Sequence, residues 1–169
     1  MTTNHLKTIA EYLEQLRDID PESGQYLEHG TRRPTRPLTD DECERADHLI
    51  RTHDLQQKQC WRNAQLIALA YPEYTYGKSR RKPRPSGRGG CQCEGYVCSD
   101  RVPLPIHHAW VEANETVWEL TTPDRPETPK NSVYFGITVP DTELRTILNQ
   151  RDKANPLVAQ LSFDSTQGV

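Results

Sequence analysis

Apolar residues follow a helical period in the first part of the chain and strand-like alternation in the later part. Apolar positions spaced by three and four predict helices at residues 3–19, 39–52, 60–71 and 142–152. Strand character is strongest at residues 74–76, 94–98, 105–111, 116–120 and 132–139. The polar stretch 21–37 contains Pro and Gly and is predicted to be a loop. Because most helices come first and antiparallel strands follow, the pattern predicts an α+β fold.

Two of the helix starts have local signals. Thr39 and Glu42 have the spacing of a capping box, in which each side chain satisfies a free backbone amide of the other residue. The next helix has two possible starts. Asp54 could cap a helix that passes through Cys60, or the helix could begin at Cys60 itself. We favour the second start because apolar periodicity begins only after the cysteine, and free amides at a helix N-terminus stabilise a thiolate.

The composition is that of one domain with a modest core and long polar loops, since 34% of the 169 residues are hydrophobic and 13 are proline. We predict a single domain, residues 1–169. Its parts are N-terminal helices (1–54), a core (55–140) with a mobile basic insertion (77–93), and a C-terminal helix and tail (141–169).

Charge and hydropathy exclude several classes of function. The net charge of −3 argues against binding to nucleic acid or to an anionic membrane through overall basicity. No apolar run approaches the roughly 18 residues of a membrane span, and the N-terminus lacks the apolar centre of a signal peptide. We therefore expect a cytoplasmic protein with no membrane partner, in which the five cysteines form no disulfide framework.

The candidate chemistry begins with Cys60, which lies at the head of an apolar helix. A cysteine in that position is more often structural than catalytic, but here imidazole and carboxylate groups follow on neighbouring strand-like segments. In an antiparallel hairpin, a two-residue turn at Ala113-Asn114 or at Asn114-Glu115 places Glu119 on the same face as His108. A three-residue turn would give that face to His107. The sequence therefore favours His108 as the base, with His107 as its competitor.

Several short motifs resemble one family. Gln59-Cys60-Trp61 resembles the sequence at the nucleophile of transglutaminases, and papain-like proteases also have tryptophan close behind their cysteine. Glu94-Gly95-Tyr96, His108-Ala109-Trp110 and Val117-Trp118-Glu119-Leu120-Thr121 resemble, in order, the glycine strand, the His-Ala-Trp strand and the Asp-x-Thr strand of the transglutaminase-like superfamily. The resemblance covers roughly residues 55–137, and Glu119 replaces the aspartate of many relatives.

This resemblance implies a papain-like core with the cysteine helix packed on an antiparallel sheet. It also implies a Cys60 nucleophile, a His108 base and Glu119 as the acidic third member, acting without a cofactor on an amide, isopeptide or thioester bond of a peptide or protein. The superfamily includes proteases, peptide N-glycanases, acetyltransferases, transglutaminases and inactive scaffolds, so the fold alone does not select the reaction.

Further residues are candidates for supporting roles. The Cys60 amide and one side-chain donor would hold the oxyanion of an acyl-transfer reaction. The donor candidates are Gln59, which ranks first, Gln57 and Asn63, with Trp61 as a shielding ring and Trp110 and Trp118 as cleft walls.

A binding module without catalytic activity is the alternative hypothesis. The Arg- and Lys-rich stretch 78–88 could contact nucleic acid or an acidic protein, although a solvated loop is the simpler interpretation. Cys91, Cys93 and Cys98, with Cys43 or His107, could hold zinc, but their spacing differs from the usual C-x2-C pairs, so no metal is predicted.

Overall fold

The computed structural model describes residues 2–71, 92–114, 116–121, 132–149 and 156–161. Its helices are α1 (Thr2–Leu16), α2 (Pro21–His29), α3 (Asp40–Thr52), α4 (Cys60–Ala70) and α5 (Asp141–Leu148), followed by a short 3-10 turn at Val158–Gln160. Its strands are β1 (Thr31–Arg32), β2 (Gln92–Cys98), β3 (Ile106–Ala113), β4 (Thr116–Trp118) and β5 (Val133–Val139).

The five strands form one antiparallel sheet in the order β1-β5-β2-β3-β4. Helices α1, α2 and α4 pack on the sheet, and the main apolar core lies between them and the strands. The predicted α+β class is therefore confirmed. Among the described residues, no helix has the length and apolar character needed to cross a bilayer.

The stretch 21–37 is not the loop that the sequence predicts, because it contains α2 and β1. Asp20 caps α2 by accepting hydrogen bonds from the Glu22 amide at 3.2 Å and from the Ser23 hydroxyl at 2.7 Å, and Pro21 occupies the first turn. Tyr26 then buries its whole side chain. The first third of the chain therefore contributes a helix face to the core and an edge strand to the sheet, in addition to the predicted helices.

The predicted C-terminal boundary of the basic insertion, residue 93, is wrong because β2 already begins at Gln92. Gln92 and Cys93 belong to β2 and are fully buried, because β2 lies in the centre of the sheet between β3 and β5. The rest of that insertion and the predicted strand 74–76 lie outside the described residues.

The start of α4 agrees with the favoured interpretation, since the helix begins at Cys60. Asn63 secures the preceding loop from within the first turn of α4. Its side-chain nitrogen donates to the Gln56 carbonyl at 2.7 Å, and its side-chain oxygen accepts from the Gln56 amide at 3.1 Å. Lys58, in this loop, has a left-handed φ of 62°. The loop is therefore held by hydrogen bonds to Asn63, and Cys60 follows it as the first residue of α4.

The hairpin register is decided by the connection between β3 and β4. Ala113 pairs with Thr116, and Asn114 has the left-handed φ of 51° that is typical of a tight two-residue turn. Of the registers considered above, the structure has the turn at 114–115. This arrangement puts Glu119 diagonally across from His108 and on the same face.

Glu94 is an ionisable side chain inside the core, with no exposed surface. Its carboxylate accepts hydrogen bonds from the backbone amides of Leu157 at 2.7 Å and Val158 at 3.3 Å, and from the Gln92 side chain. Burial raises the pKa of Glu94 to about 8, and these hydrogen bonds oppose the shift only in part. Glu94 therefore ties the C-terminal segment to β2 but becomes costly once it ionises.

We expect Glu94→Gln to stabilise the protein increasingly as the pH rises. A raised folded-state pKa gives stability that is fully present below about 4.5 and is lost as the pH rises to about 8. The free energy of unfolding of Glu94→Gln, relative to the wild type, should rise across that window by roughly 1–4 kcal/mol, because each pKa unit corresponds to about 1.4 kcal/mol. Urea denaturation at several pH values measures it.

Glu42→Gln is the matched control, because hydrogen bonds from Arg36 lower the pKa of Glu42 to about 2. The stability that Glu42 provides is lost only at acid pH, so its difference from the wild type should stay flat between pH 5.5 and 8. A flat difference for Glu94→Gln as well would contradict a costly ionised Glu94.

Candidate active site

Cys60 is the first residue of α4 and is 6% exposed. The first intrahelical bond runs from the Asn63 amide to the Gln59 carbonyl at 2.9 Å, so the amides of residues 60–62 have no acceptor within the helix. No side chain caps this end and its first turn has no acidic residue, whereas α3 has a full capping box and three acidic residues in its first turn. The N-terminus of α4 therefore presents uncompensated donors at the sulfur.

His108 lies on β3, with its ring hydrogen-bonded to Glu119. The His108 Nε2 atom is 2.7 Å from Glu119 Oε2. Nδ1 is then the ring nitrogen left for an interaction with the Cys60 side chain, which is among the groups that raise the pKa of this ring. The structure thus brings together the three groups that the sequence singles out, in the order thiol, imidazole, carboxylate.

The electrostatics of this set favour a charged imidazole. Burial lowers the pKa of His108, but the Glu119 carboxylate and the neighbouring Cys60 side chain raise it more, and the resulting pKa is about 10. For Glu119, burial raises the pKa, but His108 and three hydrogen bonds hold it below its usual value. Both shifts have the same physical cause, which is the attraction between imidazolium and carboxylate at a site with little water.

Glu119 is 3% exposed, and both oxygens of its carboxylate accept hydrogen bonds. Oε2 accepts from His108 and, at 3.1 Å, from the Tyr134 hydroxyl, while Oε1 accepts from the Thr121 amide at 2.9 Å. Burial and the Glu119 charge raise the pKa of Tyr134 far above its usual value, so its hydroxyl remains a donor. The carboxylate is therefore held in one orientation toward His108.

Tyr134 is a site residue that the sequence analysis missed. It lies on β5, and the register Gly136↔Gly95↔His108 puts residues 134 and 108 on the same face of the sheet. The alternation of β5 contained this signal, but it could be used only after the order of the strands was known. Gly95 and Gly136 also leave the cross-strand positions beside His108 without side chains.

His107 projects to the opposite face, as its neighbouring position on the strand requires. Its Nε2 atom is 2.8 Å from the Tyr26 hydroxyl, and its ring stacks on Tyr96 with centroids 4.9 Å apart. Burial lowers the pKa of His107 to about 4, so the ring is neutral at neutral pH. The structure therefore places His108, and not His107, between the thiol and a carboxylate.

The predicted supporting residues divide into two groups. Gln59 and Gln57 are exposed, and Gln59 makes no capping bond, so its carboxamide is available beside the sulfur. Asn63 is fully buried and its amide is committed to Gln56, which does not fit the predicted role of oxyanion donor. Trp61 is half-buried, with its ring 5.2 Å from that of His107.

The two tryptophans predicted as cleft walls are both buried. Trp110 is 2% exposed and lies on the His108 face, with the two rings 6.3 Å apart at an interplanar angle of 24°. Trp118 pairs with Val111, so it faces the main core on the opposite side of the sheet. Trp110 thus backs the imidazole, whereas Trp118 is a core residue and the prediction of a cleft wall is wrong for it.

A second thiol–imidazole–carboxylate set occurs between α1 and the end of β2, and the sequence did not predict it. Cys98 Sγ is 3.5 Å from His5 Nδ1, and His5 Nε2 is 2.8 Å from Asp100 Oδ1. Cys98 is 1% exposed and ends a strand, whereas Cys60 begins a helix. Burial raises the pKa of this thiol. The same connectivity here favours the neutral thiol.

The components of the alternative hypothesis do not converge in the described part of the chain. The four described cysteines form no disulfide, and no three His, Cys, Asp or Glu side chains in that part are arranged to hold a metal ion. Cys93 and Cys98 project to opposite faces of β2, toward Thr138 and His5 respectively. Cys91 and the basic stretch 78–88 lie outside the described residues.

Comparison with known proteins leaves the site to be interpreted from its own geometry. No protein-family model, no curated protein sequence and no solved structure matches the chain.

Proposed function

We propose that the chain is a thiol-dependent hydrolase or acyltransferase that acts on an amide, isopeptide or thioester bond through Cys60, His108 and Glu119. The observation that supports this most directly is the His108 ring, which is bound to Glu119 through Nε2 and has its pKa raised by the Cys60 side chain at the head of α4. The core would be papain-like or transglutaminase-like, in agreement with the motif order Gln-Cys-Trp, Gly, His-Ala-Trp and Trp-Glu-x-Thr.

In the first half of the proposed reaction, the Cys60 thiolate attacks the carbonyl carbon of the acyl donor. The oxyanion that forms accepts hydrogen bonds from the Cys60 amide and from the Gln59 carboxamide. His108 donates its proton to the leaving amine or thiol as the carbon–heteroatom bond breaks. The product of this half is an acyl-enzyme with a thioester at Cys60 and a neutral His108.

In the second half, neutral His108 accepts a proton from water or from an amine as that nucleophile attacks the thioester. The tetrahedral intermediate collapses, the carbon–sulfur bond breaks, and Cys60 leaves as a thiolate beside imidazolium. Glu119 stays ionised throughout, because its role is to orient the ring and stabilise its positive charge. The longer glutamate serves where many relatives have aspartate, since it reaches Nε2 at 2.7 Å.

Acyl-enzyme formation tests the proposal. A peptide thioester should add the mass of its acyl group to the peptide that contains Cys60, and Cys60→Ser should remove the adduct while circular dichroism shows a folded protein. Release of the adduct that is faster with added amine than with water indicates transfer. Absence of an adduct from a panel of thioester and glutamine-amide probes would count against an acyl-transfer enzyme.

The two thiol sets of this chain provide an internal comparison. We expect iodoacetamide at pH 6 to label Cys60 stoichiometrically and Cys98 at least 10-fold more slowly, because Cys60 begins a helix beside the His108 imidazolium, whereas burial raises the pKa of Cys98. His108→Gln should slow labelling of Cys60, and the matched variant His5→Gln should not. Preferential labelling of Cys98 would move the reactive thiol away from α4.

Glu119→Gln keeps the size of the side chain but removes its charge. Imidazolium at His108 then becomes less favourable, so the pH at which Cys60 alkylation reaches half its maximal rate should rise. The acyl-transfer rate should fall by about 10- to 10⁴-fold, the range for weakening a triad carboxylate. Glu119→Asp should recover part of the rate, and an unchanged pH profile in Glu119→Gln would exclude its role.

Tyr134→Phe removes one donor from Glu119 and leaves the charge in place. We expect the acyl-transfer rate to fall by about 10-fold, as for one hydrogen bond to a charged group worth about 1.5 kcal/mol. The pH profile should shift less than in Glu119→Gln. Tyr71→Phe is the control, since the Tyr71 hydroxyl also contacts an imidazole, that of His53 at 2.9 Å, away from the site. Equal rate losses in both variants would contradict a specific role for Tyr134.

A further inference from the structure

Two consecutive residues of α4 meet two consecutive residues of β3. The Cys60 side chain interacts with His108 and raises the pKa of its ring, and the Trp61 ring lies 5.2 Å from the His107 ring, edge to face at 77°. Neighbouring positions of a strand project to opposite faces, so the start of α4 contacts both faces of β3. The β3–β4 register explains how α4 can reach both faces of β3. Strand β4 pairs with β3 only from Val111 to Ala113 and does not extend along the first half of β3.

The His107 ring is held on three sides. The Tyr26 hydroxyl is 2.8 Å from Nε2, Tyr96 stacks on one ring face at 4.9 Å and 14°, and Trp61 meets the ring at its edge. Tyr26 and Tyr96 also contact each other edge to face at 5.4 Å. His107 therefore links Trp61, in the first turn of α4, to Tyr26 of α2 and Tyr96 of β2.

The charge of His107 fits this arrangement. The ionisable groups that act on its ring are His108, Asp20 and the two phenols, and burial is the largest influence on it. Burial raises the pKa of Tyr26 well beyond its usual value, so Tyr26 donates its hydrogen to Nε2 and the ring keeps its own proton on Nδ1. A neutral ring adds no second cation beside the His108 imidazolium.

We propose that His107 is a positioning residue that, through Trp61, holds Cys60 at the right distance from His108. This inference rests on the proposed function, because it concerns the alignment of the same thiol and imidazole. Acyl transfer tolerates little misalignment, and a displacement of about 1 Å at a reacting group can reduce a rate by about 100-fold. His107 would thus contribute its flat aromatic shape and one hydrogen bond, not proton transfer.

The variants that test this inference separate ring shape from proton transfer. His107→Gln removes the ring, and we expect the maximal rate of Cys60 alkylation to fall by about 10-fold, with the pH of half-maximal rate higher by about one unit. The double variant Tyr26→Phe/His107→Phe replaces both hydrogen-bonding partners by apolar rings of similar shape, which leaves no buried polar group unpaired. It should recover the rate to within about 3-fold of the wild type and restore the pH profile.

Tyr12→Phe is the matched control, since Tyr12 contacts Tyr96 at 5.8 Å but is not in contact with His107. Tyr12→Phe should alter neither the maximal rate of Cys60 alkylation nor its pH profile. Thermal unfolding followed by circular dichroism verifies that each variant is folded at the assay temperature. Rates and pH profiles are compared between folded variants.

Three results would overturn the inference. A wild-type pH profile in His107→Gln with only a lower melting temperature would make His107 a stability residue. A double variant as slow as His108→Gln would make it a proton-transfer group. A change in Tyr12→Phe equal to that in His107→Gln would make the effect a general one of the aromatic cluster. A wild-type Cys60 that is not alkylated at pH 6 would instead count against the proposed function itself.

Discussion

The site depends on one buried ion pair, between His108 and Glu119. Removing a carboxylate and an imidazolium from water costs several kcal/mol per ion, so such a pair persists only where further hydrogen bonds complete it. Here the Thr121 amide and the Tyr134 hydroxyl donate to the carboxylate, and the Cys60 side chain favours the charged form of the ring. This requirement explains why Glu119, just beyond β4, and Tyr134, on β5, have to lie on the same face as His108.

The short length of β4 is the second constraint. Because β4 accompanies β3 for only three residues, the first half of β3 is open to α4, and one helix turn can place Cys60 against one face and Trp61 against the other. The first turn of α4 also has no side-chain cap. The loop before it is closed by Asn63 from inside the helix, so no side chain covers the amides that face the sulfur.

The two thiol sets of this chain show why connectivity alone is a weak argument for reactivity. In both, an imidazole lies between a sulfur and a carboxylate. Cys60 begins a helix and its imidazole has a raised pKa, whereas Cys98 ends a strand and burial raises the pKa of the thiol itself. The difference comes from the electrostatic surroundings, namely a helix N-terminus in one case and a buried strand end in the other. The proposed function therefore rests on the environment of Cys60 as much as on its partners.

Features that depend on chain neighbours could be read from the sequence. The capping box of α3, the start of α4 at Cys60 and the shared face of His108 and Glu119 follow from local caps, apolar period and strand alternation. The Asp20 cap of α2 is another local signal, which the sequence analysis missed. Tertiary structure alone decided the rest, including the burial of Tyr26 against Tyr96 and His107. The roles of Tyr134 and His107 require strands and helices that are distant in the chain to be adjacent in space, as does the pairing of Cys98 with His5. Local periodicity does not determine which strands become neighbours or which polar side chains lose their water, and those long-range contacts set the charges of this site.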